Sequence, residues 1–187
     1  MIYRLLSYLP LSLLYGLSWP LYLVICYLPG YRKVVVKQNL RRAFPEKNTR
    51  ELTILARKFY LQLAEVALEI LKTRTMQAAD IKQRVRVVNP ELLKSSSEGF
   101  TRPVVVLAIH QGNWEWMLHG VTLATGIPVD PVYKRLHDGL TDRIALEIRS
   151  RFGSRPIELG DVGRNFLKHR RDFRLFALLA DQAPAAA

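Results

Sequence analysis

The sequence predicts an α/β fold, with a mostly parallel sheet flanked by helices and preceded by an N-terminal membrane-associated helical segment. Two observations carry this prediction. The second half of the chain alternates short apolar, β-branched runs with amphipathic stretches, which is typical of parallel strands joined by helices. The first part contains 27 consecutive uncharged residues, from Leu5 to Tyr31. With 187 residues, of which 49% are hydrophobic, the chain can also form a sizeable core.

The uncharged segment is long enough to cross a bilayer, which takes about 20 residues in a helix. Pro10 and Pro20 would each break or kink such a helix, and the many aromatic side chains suit a membrane interface. Residues 1–31 are therefore expected to be an anchor that either spans the membrane or lies in its interface. A buried hairpin of a soluble protein remains the alternative.

Basic residues follow this anchor directly. They are Arg32, Lys33, Lys37, Arg41 and Arg42. If the anchor spans the membrane, this cluster predicts that the downstream domain is cytoplasmic, and it would also attract anionic lipid headgroups. The whole chain has a net charge of +12 and a pI near 10.1, so its partners should be anionic: nucleic acid, a membrane surface, or an acidic protein or substrate.

Residues 32–84 are predicted to form a basic helical segment that packs on the core formed by the residues after it. A short helix should end at Phe44, because Pro45 stops it. A long amphipathic helix should follow, since Asn48 is a suitable N-cap with Glu51 three residues later, and apolar residues then recur at spacings of three and four.

Residues 85–187 are predicted to form the α/β core. Strands are expected at 85–88, 104–109, 129–133, 156–159 and 175–180, and helices at 114–125, 140–152 and 162–171. The run 104–109 is continuously apolar, as in a strand covered on both faces. Because the chain stops soon after a core strand, where a parallel α/β domain rarely ends, we expect it to be truncated at its C-terminus.

A histidine stands at the end of the most apolar predicted strand. After His110 come Asn113, which can cap the next helix, and Glu115 in its first turn. Asp181 follows another strand at the same edge of the sheet, where ligands bind in open α/β folds. A carboxylate on one ring nitrogen leaves the other nitrogen free as a general base. The pattern fits a catalytic pair of His110 and Glu115. It fits equally well polar residues that only cap a loop.

Other chemistries are less well supported by the sequence. There is no G-x-S-x-G turn for a serine nucleophile, and the histidines lack H-E-x-x-H spacing, so no metal site is expected. The single cysteine, Cys26, excludes an intrachain disulfide. A basic nucleic-acid-binding protein is disfavoured by the uncharged segment and the lack of a recognisable binding module. Base-assisted transfer to a bound hydroxyl is the simplest remaining chemistry.

The order of these features resembles the lysophospholipid acyltransferase-like superfamily, and within it the secondary (lauroyl or myristoyl) acyltransferases of lipid A biosynthesis. The resemblance covers essentially the whole chain, and the block from His110 to Glu115, HQGNWE, is its most specific part. Further matches are Asn39-Leu40, Ala43-Phe44-Pro45, Val132-Tyr133-Lys134, Arg149 with Gly153, and Asp181-Gln182.

The resemblance implies transfer of a fatty acyl chain from acyl carrier protein to a hydroxyl of a lipid A precursor, at the cytoplasmic face of a bacterial inner membrane. On this model His110 is the base and Glu115 its orienting acid, and no metal, nucleotide or redox cofactor is needed. A lysophospholipid or another glycolipid as acceptor, and a non-catalytic truncated membrane protein, remain alternatives.

The predicted substrate contacts are mostly basic. Between Arg143 and Arg174, nine Lys and Arg residues stand against four Asp and Glu, and lipid phosphates or the acidic carrier protein are suitable ligands for them. The candidate substrate-binding residues are Asn113, Lys134, Arg135, Arg149, Arg151 and Asp181. The family more often has arginine at the position of Lys134, so a bidentate contact would be weaker here.

Overall fold

The chain folds into two compact units in a computed structural model that describes residues 2–27 and 32–181. The first unit comprises Met1–Lys72 and the second Thr73–Ala187. The end of the predicted anchor, residues 28–31, and the last six residues, including Gln182 of the resemblance, lie outside the described residues. The packing of the predicted basic segment on the core stays a prediction.

The first unit is helical throughout its described part. Its helices are α1 (Ile2–Tyr8), α2 (Leu11–Tyr27), α3 (Lys33–Ala43) and α4 (Thr49–Thr73). Pro10 separates α1 from α2, as the loss of a backbone N–H predicts, whereas Pro20 lies inside α2. The long amphipathic helix is confirmed, and so is its cap: the Glu51 N–H donates to Asn48 Oδ1 at 3.0 Å and the Asn48 N–H donates to Glu51 Oε2 at 2.9 Å.

The apolar N-terminal segment does not form one long helix. Within residues 2–27 and 32–181, no helix is both long and apolar enough to cross a membrane. The predicted membrane span is therefore not confirmed, and the interfacial alternative stays a prediction.

The core of the first unit is formed where α2 meets α4. Tyr22 and Cys26 of α2 are buried against Tyr60 and Ala64 of α4. Burial of each large apolar side chain contributes roughly 1.5–3 kcal/mol, so this contact fixes α2 on α4.

The second unit has the predicted α/β architecture. Its strands are β1 (Val104–Ala108), β2 (Val129–Tyr133), β3 (Ile157–Glu158) and β4 (Leu175–Leu179). Its helices are α5 (Ala78–Arg84), α6 (Glu91–Ser96), α7 (Trp114–Thr125), α8 (Gly139–Arg149) and α9 (Val162–Lys168). All strand pairs are parallel, in the order β1-β4-β2-β3. The predicted parallel sheet is thus confirmed.

Two strand predictions are wrong in detail. Residues 85–88 form no strand; Val85 is extended, but its side chain covers α7 at Gly120, where an added Cβ would lie 2.3 Å from Val85 Cγ1. The strand β1 is not covered on both faces: burial alternates along it, and Val105 and Leu107 on one face are 49% and 71% exposed.

A buried charge network lies at the amino end of β2 and β4. The carboxylate of Asp130 on β2 is fully buried and accepts from Arg174 Nε at 2.6 Å and from Arg155 Nε at 3.1 Å. Arg174 also donates to Asn165 Oδ1 on α9 at 2.9 Å. A buried carboxylate is tolerated only when it is paired in this way, so the network fixes β4 and α9 against β2.

A buried histidine distinguishes α7 from the other helices. His119 is fully buried, packs edge-on against Phe152 at 5.1 Å, and neither of its ring nitrogens has a hydrogen-bond partner among the described residues. Burial, and second the Arg151 guanidinium, lower the pKa of His119 to about 4. The Ile148 backbone opposes this pKa shift without reaching hydrogen-bond geometry. His119 is therefore neutral in the folded protein near pH 7.

Candidate active site

The carboxyl ends of β1 and β4 bring two distant parts of the chain together. The strands are parallel neighbours with Ala108 opposite Leu179, and the Ala180 N–H donates to the Ala108 carbonyl at 2.9 Å. The residues that follow each strand must therefore lie side by side at this edge. They are His110 and Asp181, which are 71 positions apart in the chain.

Asp181 holds His110 through two hydrogen bonds. Its Oδ1 lies 2.8 Å from His110 Nδ1, and its Oδ2 accepts from the His110 backbone N–H at 3.0 Å. The hydrogen bond from the His110 side chain, followed by that from the backbone N–H, lowers the pKa of Asp181. The carboxylate is therefore ionised near neutral pH, and its best partner is an Nδ1 that carries a proton. In that tautomer Nε2 has a free lone pair and can act as a base.

Glu115 has a different partner from the predicted one. Its carboxylate, 5% exposed in the first turn of α7, accepts from Arg149 at the end of α8, with Nη2 at 2.6 Å and Nε at 2.9 Å from Oε1. A carboxylate this deeply buried needs a cation. Thus Asp181, and not Glu115, contacts His110 Nδ1, and Glu115 pairs with Arg149. The catalytic role of Glu115 stays a prediction.

A small apolar cavity lies beside the Glu115–Arg149 pair. It has a volume of about 100 Å³, and both Glu115 and Arg149 line it. Apolar side chains of the sheet and of α7 form the rest of its wall, among them Val106, Ala108, Leu118, Val121 and Leu179. The cavity is suited to hydrocarbon, because its charged groups neutralise each other.

Trp114 connects the histidine to this cavity. Its ring packs against the His110 ring in an edge-on arrangement, with centroids 4.9 Å apart, and it also lines the cavity. Trp114 belongs to the block from His110 to Glu115, but no role was predicted for it. Its position at the first residue of α7, directly after the cap, was the signal that could have revealed it.

The remaining candidate residues are divided between the sheet edge and structural contacts. Asn113 caps α7, its Oδ1 accepting from the Trp116 N–H at 2.9 Å. Lys134 and Arg135 are exposed just after β2, at the same sheet edge as His110, and Arg135 pairs with Glu158 at 3.0 Å.

Arg151 has a structural role. Its Nη1 donates to the Thr73 carbonyl, and its guanidinium lies 5.0 Å from the Phe152 ring centroid. Burial, and second the charge of Arg74, lower its pKa. Neither of these contacts links Arg151 to His110 or Asp181.

No cluster of three or more His, Cys, Asp or Glu residues able to hold a metal ion occurs in the part of the chain that the structure describes. The sheet edge offers an oriented imidazole, an adjacent helix N-terminus and an apolar cavity.

Comparison with known proteins identifies the family. No curated protein matches the chain. A family model described as bacterial lipid A biosynthesis acyltransferase matches residues 1–186. The match confirms the resemblance that the His110 block indicates, and because it spans nearly the whole sequence, the chain belongs to the bacterial lipid A biosynthesis acyltransferase family.

Proposed function

We propose that this protein transfers a fatty acyl chain from acyl carrier protein to a hydroxyl of a lipid A precursor, with His110 as the general base. The single observation that carries the proposal is the 2.8 Å contact between His110 Nδ1 and Asp181 at the carboxyl edge of the sheet. Membership of a lipid A acyltransferase family supports the reaction class and the type of acceptor.

The proposed reaction is a direct transfer. His110 Nε2 takes the proton of the acceptor hydroxyl as the hydroxyl oxygen attacks the thioester carbonyl carbon. The C–S bond of the resulting tetrahedral intermediate breaks, and the carrier thiolate receives the proton from the imidazolium. An ester has then formed, a thioester has broken, and one proton has moved from oxygen to sulfur. Asp181 acts as a positioning residue that fixes the ring and stabilises its charged form.

The start of α7 supports the negative charge that develops in this reaction. Its first backbone N–H groups, at Trp114 and Glu115, have no partner within the helix, and the helix dipole adds positive potential there. An oxyanion next to His110 would be stabilised by such donors.

The apolar cavity supports binding of the start of the acyl chain, since a volume of about 100 Å³ holds only a few methylene groups. Its wall is hydrocarbon apart from the neutralised Glu115–Arg149 pair. Trp114 contacts both His110 and the cavity, so a chain bound there would have its thioester end near the base. Lys134 and Arg135 provide positive charge at the same edge for a phosphorylated acceptor or the acidic carrier protein.

The proposed location is the cytoplasmic face of the bacterial inner membrane. Apolar side chains of α1 and α2 are exposed on the first unit, including Ile2, Leu5, Tyr8 and Trp19. Such side chains, next to a basic α3, are typical of a segment that lies in the interface of an anionic membrane.

The test is an acyl-transfer assay with radiolabelled acyl carrier protein and a lipid A precursor in mixed micelles. His110→Ala should lose about two to four orders of magnitude in rate, as is usual when a general base is removed. His169→Ala is the matched control, because His169 is an equally exposed histidine that also contacts an aspartate. Equal transfer by the parent and His110→Ala would contradict the role of His110.

Two further outcomes separate the alternatives. A lysophospholipid and a second glycolipid should be acylated more slowly than the lipid A precursor; a preference for either would replace the proposed acceptor. If the parent chain shows no transfer to any acceptor, the alternative of a non-catalytic truncated membrane protein is favoured.

A further inference from the structure

A groove with a basic rim runs along the first unit, which is a different unit from the one that carries His110. Its volume is about 300 Å³, and side chains of α2, α3 and α4 line it. Nothing in the proposed reaction uses this groove. Its composition is unusual because one side is cationic, the floor is apolar, and no Asp or Glu is among its lining residues.

The cations on α3 form a regular stripe. Lys33, Lys37 and Arg41 are four residues apart, so they project from one face of the helix, and all three are exposed and line the groove. Like charges at this spacing destabilise a helix by a few tenths of a kcal/mol per pair. A bound anion would remove this repulsion.

A second stripe faces the groove from α4. Thr49, Thr53 and Arg57 repeat at the same spacing of four and line it as well. Arg57 adds a fourth cation. Within residues 2–27 and 32–181, none of the four basic side chains forms a salt bridge. Their charges are therefore available to an anionic ligand.

The floor between the two stripes is apolar. Cys26, Leu52 and Tyr60 are at most 7% exposed, and the small side chain of Ala56 leaves room above them. A free inorganic anion would leave this floor in contact with water, and a neutral lipid would leave the four cations unpaired. A molecule with both an anionic headgroup and a hydrocarbon chain satisfies both parts of the groove.

We infer that this groove binds one anionic phospholipid of the membrane, with its phosphate between the cations of α3 and α4 and the start of an acyl chain on the apolar floor. Trp19 and Tyr27 on α2 are 60% and 57% exposed, and aromatic side chains of this kind favour the headgroup region of a bilayer. This surface supports a lipid source for the anion. The site is separate from His110 and does not depend on the proposed reaction.

Cys26 provides a direct measurement of occupancy, since it is the chain's single cysteine and it lines the groove. The full chain is alkylated with N-ethylmaleimide and followed by mass spectrometry, alone or with dihexanoyl phosphatidylglycerol below its micelle concentration. At ten times its Kd, this lipid should slow alkylation about tenfold. Dihexanoyl phosphatidylcholine and inorganic phosphate at the same concentration should change the rate less than about twofold.

Matched variants locate the headgroup. Lys37→Gln/Arg41→Gln should weaken phosphatidylglycerol binding roughly thirtyfold, since each of the two basic residues near an anionic headgroup contributes about 1 kcal/mol. The control is Arg42→Gln/Lys58→Gln, which removes the same charge from exposed positions of α3 and α4 outside the groove lining. It should keep the parental affinity.

Each other outcome overturns the inference. Protection by inorganic phosphate alone would show a simple anion site, and equal protection by phosphatidylcholine would show that the cations are not used. Equal weakening in both double variants would show a diffuse charged surface. No protection by either lipid would show that the groove does not bind a phospholipid, and circular dichroism of every variant verifies that helix content is unchanged.

Discussion

Two histidine–aspartate pairs in the second unit make the same contact in different places. His110 Nδ1 lies 2.8 Å from Asp181, and His169 Nδ1 lies 2.8 Å from Asp172. The two histidine side chains are 27% and 26% exposed. The contact distance and the exposure of the histidine therefore do not distinguish the pairs.

Their positions in the fold do. Asp172 is three residues from His169, at the end of α9, so its pair is a local contact at the amino end of β4. Asp181 is 71 residues from His110, also binds its backbone N–H, and lies at the carboxyl end of the sheet. The difference teaches that a His–Asp contact indicates catalysis only where the topology adds a ligand-binding edge, a helix N-terminus and a cavity.

The largest expected difference between the pairs is in acyl transfer. Asp181→Asn should lower the rate about 10³- to 10⁴-fold, because an amide at this position no longer favours the tautomer with a free Nε2. Asp172→Asn should leave the rate unchanged. Steady-state transfer to the lipid A precursor measures both.

A structural role of Asp181 predicts something else. If Asp181→Asn and Asp172→Asn lose activity equally, and in proportion to their loss of stability in urea, then Asp181 only holds the end of β4. A full loss of rate with an unchanged urea midpoint supports the positioning role.

The sequence predicted the edge of the sheet better than the contacts at that edge. Continuous apolar runs revealed β1 and β4, and the rule for ligand sites in parallel sheets placed His110 and Asp181 at the same edge. The direction of each side chain was not predictable, because the rotation of α7 that aims Glu115 at Arg149 depends on how α7 and α8 pack. For this reason the orienting role was predicted for Glu115, the carboxylate that is nearer to His110 in the chain.

Strand order was equally hidden in the sequence. The strand β1 lies at the edge of the described sheet, which its apolar run did not indicate. That run indicated coverage on both faces, yet Leu107 on one face is 71% exposed. The buried network around Asp130 also escaped notice, since its arginines come from distant segments. Periodicity shows which elements exist, whereas neighbours along the sheet are decided by tertiary packing.

Another histidine of the second unit, His119, sharpens the comparison through stability. His119 is buried without a carboxylate, and its pKa is about 4 in the folded protein against about 6.5 when unfolded. The unfolded state therefore binds the proton more readily. The contribution of His119 to the free energy of unfolding is fully present above about pH 6.5 and declines by about 3 kcal/mol as the pH falls to about 4. Urea titrations between pH 4 and 7 measure this slope.

His119→Leu should remove most of that pH dependence, whatever its effect on stability at pH 7. His169→Gln, a change at a surface histidine, should retain it. A slope that persists in His119→Leu would assign the acid sensitivity to other groups.

A smaller effect is expected from Glu115, the carboxylate that His110 does not contact. Glu115→Gln should cost about 1–3 kcal/mol of stability, because Arg149 loses its charged partner, and should lower transfer about tenfold or less, as the wall of the cavity changes. Arg149→Gln in addition should restore part of the stability. If Glu115→Gln instead loses as much activity as Asp181→Asn, Glu115 takes part in orienting the base directly.

The smallest effect is expected at the pair that resembles the active one most closely. Asp172 is 62% exposed, and a salt bridge between exposed side chains contributes about 0–1 kcal/mol. A double-mutant cycle of His169→Ala and Asp172→Ala, followed by urea unfolding, should therefore give a coupling below about 1 kcal/mol with no change in transfer. A larger coupling, or any loss of transfer, would mean that the contact itself and not its place at the sheet edge carries the chemistry.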